Sequence, residues 1–401
     1  MRQFIKLTKN ASRISSRAGR DTHSQRRSVR AMFLCAGCAI QATTASADIL
    51  HVPAQFPTIQ AASNAASAGD EIVVAPGTYK GFVTGVRLTV TGSGTTGTPT
   101  VIAGTIRSLD SITLNTLVIT DGLITNGPND LVADCSVINR GLELSNSTIS
   151  IERTRFDGCV GGALFISNCG GDVQDCDLTN NTSISNGGAI RVDDNTNINV
   201  DGCTFMGNHA GENGGAIYTR GFAGEIIVTD SMFKNNTAGN GGAIYFDVTF
   251  GSLDLARCAF IGNQSFTNAS AVWLTVSDDG NEPGSIFDCS FENNTAVAVD
   301  GAALWLSEDD IQPSPPMELT RFCGNSPIDI RGDYIDNGGN TFSSACICLA
   351  DTNGDGALTS TDFTAWLNAF NNNLSPCDQN NDGACTATDF TAWITNFNAG
   401  C

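Results

Sequence analysis

A four-residue signature, Gly-Gly-Ala followed by an aliphatic residue, returns along this chain at a nearly constant interval. That interval restricts the fold more than any other feature. Gly161-Gly162-Ala163-Leu164 is followed by Gly187-Gly188-Ala189-Ile190, Gly214-Gly215-Ala216-Ile217 and Gly241-Gly242-Ala243-Ile244. Looser copies stand at Ala269-Ser270-Ala271-Val272 and Gly301-Ala302-Ala303-Leu304. The alanine-to-alanine spacings are 26, 27, 27, 28 and 32 residues. A second element keeps step: Phe205-x-x-Asn208, Phe233-x-x-Asn236, Phe260-x-x-Asn263, Phe291-x-x-Asn294 and Phe322-x-x-Asn325, with Leu178-x-x-Asn181 as a variant. A fixed period of this length implies stacked units, each touching only its neighbours. Between the signatures the chain alternates apolar and polar, as in Ile244-Tyr245-Phe246-Asp247, which is strand periodicity. Gly, Asn and Asp fill the turns. Several short strands per unit, with neither helical pattern nor hairpin spacing, point to a parallel β-helix. Equivalent side chains then stack about 4.8 Å apart from rung to rung. The asparagine column is expected to form a ladder of amides that satisfies turn backbone.

The region before the repeats has a related character. Phe56-Pro57-Thr58-Ile59-Gln60-Ala61-Ala62 opens an amphipathic helix, and Gly69-Asp70 turns into Glu71-Ile72-Val73-Val74 and Pro76-Gly77-Thr78-Tyr79. This resembles the N-terminal cap of pectin-lyase-like right-handed β-helix proteins, in which a short helix plugs the open end. The paired GGA[ILV] and FxxN signatures resemble the repeats of the bacterial polymorphic outer-membrane-protein family. The resemblance covers residues 49 to 345. It implies the fold and is nearly silent on chemistry, because such rods host lyases, hydrolases, adhesins and inert stalks.

Residues 351 to 389 carry a different pattern. Asp351-Thr352-Asn353-Gly354-Asp355-Gly356-Ala357-Leu358-Thr359-Ser360-Thr361-Asp362 recurs 27 residues later as Asp378-Gln379-Asn380-Asn381-Asp382-Gly383-Ala384-Cys385-Thr386-Ala387-Thr388-Asp389. Oxygen-bearing side chains at loop positions 1, 3, 5 and 12, with glycine at 6, form a calcium-loop pattern. The expected ligands are Asp351, Asn353, Asp355, Asp362 and the carbonyl of Ala357, then Asp378, Asn380, Asp382, Asp389 and the carbonyl of Ala384. Each loop runs into a helix with an apolar face: Phe363, Trp366, Leu367 and Phe370, then Phe390, Trp393, Ile394 and Phe397. A tandem of loop plus helix, with Asp at position 12, resembles a dockerin module. Cys348, Cys377, Cys385 and the terminal Cys401 are similar to cysteine-ended dockerin-like tails of secreted bacterial proteins. The resemblance implies two bound Ca²⁺ and an anchoring role. It also places contacts to a cohesin-like or cell-envelope partner at positions 10 and 11, here Ser360, Thr361, Ala387 and Thr388. The alternative is a calcium-stapled cap closing the solenoid.

Charge and cysteine usage set the compartment. Asp plus Glu outnumber Lys plus Arg by 41 to 21, and nine of the 21 bases lie in the first 30 positions. A basic stretch ending at Arg30, an apolar run from Ala31 to Ile40, and Ala45-Ser46-Ala47 read as an export signal over 1–47. The expected domains are therefore 1–47 signal, 48–345 β-helix and 346–401 calcium module, in a secreted or cell-surface protein. Without its leader the chain is strongly acidic, which excludes a phosphate-binding nucleic-acid surface. No apolar run is long enough for a transmembrane helix. Thirteen cysteines remain after the signal, an odd number, with Cys401 the first candidate for a free thiol. Two positions before each Phe runs a small-residue column: Cys135, Thr154, Cys176, Cys203, Ser231, Cys258, Cys289 and Thr320. Adjacent rungs would allow Cys176–Cys203 and Cys258–Cys289 bridges. A buried stack of reduced thiols is the preferred reading, because Ser and Thr share the column.

Candidate chemistry is sparse. His51 and His209 have no recognisable nucleophile partner. Alternation turns Ile190, Ile217, Ile244, Val272 and Leu304 inward, and Arg191, Tyr218, Tyr245, Trp273 and Trp305 outward. The latter form a stripe suited to stacking on sugars or to cross-strand stabilisation. Two residues further on, Asp193, Arg220 and Asp247 share a column. Two carboxylates two rungs apart overlap the spacing of inverting glycosidases, and alternating signs equally describe an ion-pair ladder. Arg191 with Asp193 and Asp194 is the nearest match to a lyase arrangement. The reading is a binding or adhesion protein for a carbohydrate or surface partner. A polysaccharide lyase or glycoside hydrolase is the alternative, and a structural surface stalk the second.

Overall fold

Aliphatic residues at every second position make short strands that bury one side each, and turn residues bend the chain between them. In the computed structural model, which describes residues 47–276, 284–306, 314–346, 349–354, 358–380 and 384–399, these strands pair in parallel with their counterparts one rung away. Three stacks result. The first face runs through 71–74, 88–92, 112–115, 129–133, 148–152, 170–174 and 197–201. The second face includes 155–157, 177–179, 204–206, 232–234, 259–261, 290–292, 321–323 and 341–343. The third includes 164–167, 190–193, 217–221, 244–248, 272–276, 304–306 and 328–331. A narrow fourth ribbon, 182–183 to 295–296, bridges the second and third faces. The architecture is a parallel β-helix.

The core is built in columns. Ile190, Ile217, Ile244, Val272 and Leu304 are all within 1% of complete burial, as alternation requires. On the second face Phe205, Phe233, Phe260, Phe291, Phe322 and Phe342 stack ring on ring at 4.6–5.2 Å between centroids. The asparagine ladder forms. Asn236 Oδ1 accepts from the Asn208 N–H and Nδ2, while Asn236 Nδ2 donates to Phe205 O and Asn263 Oδ1. Asn181, Asn208, Asn236, Asn263 and Asn294 are fully buried. Each amide thus satisfies backbone groups of a turn that has no strand partner for them.

The residue before each ladder asparagine has left-handed backbone, and its identity alternates: Asn180, Gly207, Asn235, Gly262, Asn293, Gly324. Left-handed φ favours Gly and tolerates Asn. The alternation has a steric cause. A Cβ on Gly207 would lie 2.9 Å from Asn180 Oδ1, and one on Gly262 would lie 2.6 Å from Asn235 Oδ1. Each asparagine side chain occupies the space that the next rung leaves empty.

Seven cysteines, Cys135, Cys159, Cys169, Cys176, Cys203, Cys258 and Cys289, are buried and reduced. These buried thiols match the preferred reading of the column; Cys401, the first candidate for a free thiol, lies outside the described residues with Cys348. The column serves as small apolar filling. Burial pushes the Cys135 and Cys159 thiols up to about 12. Cys323 is bonded to Cys346, and Cys377 to Cys385.

At the start of the described chain, Thr58 caps helix α1 (Ile59–Ala65) by accepting from the Ala61 N–H. Ile59 and Ala62 are buried against the first rungs. Helices α2 (Ser360–Asn371) and α3 (Ala387–Ala399) follow the solenoid. No helix among the described residues is long and apolar enough to cross a membrane. Of the proposed leader, 1–47, residues 1–46 lie outside the described residues.

Candidate functional site

The third face carries the outward stripe. Register places Phe165, Arg191, Tyr218, Tyr245, Trp273, Trp305 and Arg331 in one column. The four central rings stack nearly parallel, with centroids 5.6, 5.6 and 5.1 Å apart. The Arg331 guanidinium lies 4.5 Å from the Trp305 ring centre, and the Arg191 guanidinium 5.3 Å from that of Phe165. These are cation–π distances. Phe165 and Arg331 were not anticipated. Phe165 is legible as the residue after Leu164; Arg331 belongs to a rung without the glycine signature.

This arrangement determines what the stripe can offer. Rings piled along the rod axis turn their faces to each other and their edges to solvent. The outer face of Trp305 is covered by Arg331. A sugar seeking an open aromatic face finds edges and polar tips instead. Tyr218 is only 6% exposed, and Tyr245, Trp273 and Trp305 are half-buried. Burial pushes the Tyr245 phenol up from its usual range, and the neighbouring Asp247 adds to that. Trp273 Nε1 is buried and has no hydrogen-bond partner among the described residues.

The charged column lies alongside. Asp193 is held by its own strand: Arg191 Nε donates to both carboxylate oxygens at 3.2 and 3.1 Å, and Nη2 to Oδ2 at 2.7 Å. Asp247 Oδ2 accepts from the Tyr245 hydroxyl at 3.0 Å and lies 3.9 Å from Arg220 Nε. The structure therefore brings Asp193, Arg220 and Asp247 together as neighbouring ion pairs. His209 stands on a strand of the fourth ribbon, not in a turn, with Nδ1 2.8 Å from Thr237 Oγ1 of the next rung, and His51 is exposed on the first strand.

The second constellation is the duplicated tail. Asp362 is fully buried at the start of α2; its Oδ2 accepts from Thr359 N at 2.8 Å and its Oδ1 from Asn353 N at 3.4 Å. Asp389 repeats this with Thr386 N at 2.7 Å and Gln379 N at 2.8 Å. Burial pushes both carboxyls up, but these backbone donors outweigh it and hold them below the ordinary range. Asn353 Nδ2 donates to Thr361 Oγ1, and Asn380 Nδ2 to Thr388 Oγ1. Each tryptophan indole crosses to the residue before the other loop, Trp366 Nε1 to Cys377 O and Trp393 Nε1 to Ala350 O. Asp355, Ala357 and Asp382 lie outside the described residues. Asp351, Asn353, Asp378, Asn380 and Ala384 occupy equivalent places in the two loops.

The donor chemistry suits Ca²⁺. Residues 346–401 contain six carboxylates, Asp351, Asp355, Asp362, Asp378, Asp382 and Asp389, and no Lys, Arg or His. All six fall at loop positions 1, 5 and 12. Carboxylates at these spacings, in a segment without a basic residue, are the hard oxygen donors that a divalent cation such as Ca²⁺ takes.

The apolar face of each helix is only partly buried. Trp366 and Trp393 are buried with Ala350, whereas Phe363, Leu367, Phe390 and Ile394 remain 37–43% exposed. Ser360, Thr361, Ala387 and Thr388 are exposed in the first helical turns or at their caps. A further group of potential ligands, Glu292, Cys323 and Cys346, has its two sulfurs joined as a disulfide.

A family profile described as a right-handed beta helix region matches residues 140–312. No curated protein sequence matches the chain. Among solved structures, the catalytic unit of a thermostable GH87 alpha-1,3-glucanase from Streptomyces thermodiastaticus aligns at 17% identity and a TM-score of 0.41. That alignment covers 72% of this chain and 64% of the glucanase unit. An alginate lyase from Paenibacillus aligns at 12% identity and a TM-score of 0.35, covering 74% of this chain and 98% of the lyase. At this level the likeness assigns no activity to the present chain.

Proposed function

We propose that the protein is a secreted or cell-surface attachment rod. The solenoid presents a binding face, and a calcium-dependent, dockerin-like tail fastens the chain to a cohesin-like or cell-envelope partner. One observation carries this reading: every charged side chain of the tail is a carboxylate in a calcium-loop position. In each loop Asp351, Asn353, Asp355 and Asp362, or Asp378, Asn380, Asp382 and Asp389, would hold one ion, with the Ala357 or Ala384 carbonyl. Calcium would supply charge neutralisation and fix the loop against its helix.

The docking half has its own support. Phe363, Leu367, Phe390 and Ile394 expose apolar surface on two duplicated helices. A contiguous apolar face without charges around it favours a protein partner over solvent. On the rod, the third face offers Arg191, Asp193, Arg220, Asp247 and the edges of Tyr218, Tyr245, Trp273 and Trp305. Such groups suit hydrogen bonding to a polysaccharide's hydroxyls better than ring stacking. Because the arginines are paired with acids, a neutral glycan fits better than a polyanion. The hydrolase or lyase alternative would need Asp193 or Asp247 released from its ion pair.

Calorimetry on the full chain tests the tail. Uptake of two Ca²⁺ is expected, falling to one in Asp362→Asn and in Asp389→Asn, with helical circular dichroism lost on chelation. Absence of calcium uptake by the wild-type chain sinks the reading. Binding to isolated cell envelopes that does not change with chelator removes the docking half. Release of reducing sugar from a polysaccharide panel, lost in Asp247→Asn, replaces binding with catalysis.

A further inference from the structure

The two calcium loops are duplicates in sequence, yet they are closed differently. In the first, Ala350 stands just before position 1 and Leu358 at position 8. Ala350 is fully buried, and Leu358 packs on the same cluster with Trp366 and Trp393. In the second, the equivalent positions are Cys377 and Cys385, 27 residues on, and they are joined by a disulfide. The covalent ring spans eight residues of sequence and encloses Asp378, Asn380 and the Ala384 carbonyl. The closing ligand, Asp389, lies outside the ring on α3. The two ends are thus held by packing on the tryptophan cluster in one loop and by an S–S bond in the other.

We propose that the Cys377–Cys385 bond makes the second calcium site redox-dependent while the first is indifferent to redox state. The inference rests on the calcium reading above and deepens it. An unliganded loop must gather mutually repelling carboxylates before an ion can hold them, and that ordering opposes binding. A cross-link from position 0 to position 8 removes most of the open conformations beforehand. A dithiol reductant cleaves the bond by exchange: its thiolate attacks one sulfur, its second thiol closes a cyclic disulfide, and Cys377 and Cys385 leave as two thiols. Two electrons and two protons pass from reductant to protein. The freed loop then has neither the bond nor the Ala350 and Leu358 side chains that pack on the tryptophan cluster in its twin. Cys377 is buried and Cys385 partly exposed, so the Cys385 sulfur is the one open to attack, with Cys377 the first thiolate to leave.

The experiment uses the full chain with one loop disabled at a time. With the first loop removed by Asp362→Asn, dithiothreitol is expected to weaken the remaining Ca²⁺ affinity on the order of tenfold or more. With the second removed by Asp389→Asn, the same treatment leaves the affinity unchanged. Circular dichroism checks that both proteins keep their helices. A third protein, Cys377→Ala/Cys385→Leu in the Asp362→Asn background, carries the first loop's own pair in the second loop. It should bind calcium equally with and without reductant. Equal sensitivity of both loops, or of neither, overturns the proposal while leaving the calcium reading intact. Reductant sensitivity persisting in the alanine–leucine protein overturns it too, since the effect would then come from other cysteines of the chain. Failure of every oxidised protein to bind calcium sinks both.

Discussion

Replacing Asn236 with alanine in the middle of the ladder should be among the most damaging single changes in the rod. Asn236 is fully buried and joins four hydrogen bonds. Truncation strips a partner from the Asn208 N–H, the Asn208 amide nitrogen, the Phe205 carbonyl and the Asn263 amide oxygen. Asn208 and Asn263 stand two rungs apart, about 9.6 Å from strand spacing, so they cannot re-pair across the gap. A buried group left unsatisfied costs about 1–3 kcal/mol. A water admitted to the vacated volume can recover part of that. The expected loss is therefore about 3–5 kcal/mol. Asn325, the half-buried last member, supplies the internal control. Solvent can replace its side chain, and Asn325→Ala should cost only about 1 kcal/mol. Equilibrium urea unfolding of the three proteins, compared at equal slope, measures the difference. Equal losses at the two positions, or a loss below about 1 kcal/mol at Asn236, would refute the claim that the amides carry the turn's hydrogen bonding.

Two other perturbations read the core directly. Thr219 is buried between Val192 and Phe246, and its hydroxyl has no partner among the described residues. Thr219→Val keeps the shape and should stabilise the rod by about 1 kcal/mol; destabilisation in urea would count against an unpaired hydroxyl. Asp130 is buried, and its carboxylate accepts from Ile112 N, Thr125 Oγ1 and Ser147 Oγ. Burial raises its pKa, and these hydrogen bonds offset only part of the rise. A folded pKa above the unfolded one means a contribution fully present below the unfolded value and lost as pH rises through the folded value. Asp130→Asn should remove that dependence, so its urea midpoint relative to wild type should improve between pH 4 and pH 7. Parallel pH profiles would show that the carboxyl is not the source.

Much of the rod is legible in the spacing of a few residue types. GGA[ILV] marks where the third face begins, and FxxN marks the second face and the ladder. Alternation assigns Ile217 inward and Tyr218 outward from local text alone. It says nothing about ring orientation, which depends on the side chains one rung away. For that reason the stacking of Tyr218 to Trp305, with guanidinium groups against Trp305 and Phe165, had to be seen in three dimensions. The alternation of Gly and Asn before each ladder residue stood in the text, but its meaning lies in a contact between rungs. In the tail, position and residue type identified the loops. Helical periodicity marks each apolar face but not how much of it is buried, because two short helices share a small core that accommodates Trp366 and Trp393 and has little room for Phe363 or Phe390. The unequal closure of the loops was readable only by superposing Ala350 on Cys377 and Leu358 on Cys385.

The Gly and Asn alternation gives the solenoid a true repeat of two rungs, although its text repeats with every one. Duplicating or deleting a single rung would set two asparagines against each other, each reaching for the same space, or leave two glycines facing a void. Adding or removing rungs in pairs preserves the match. A rod built this way should change length in even steps, and an engineered version with one extra rung should be less stable than a version with two.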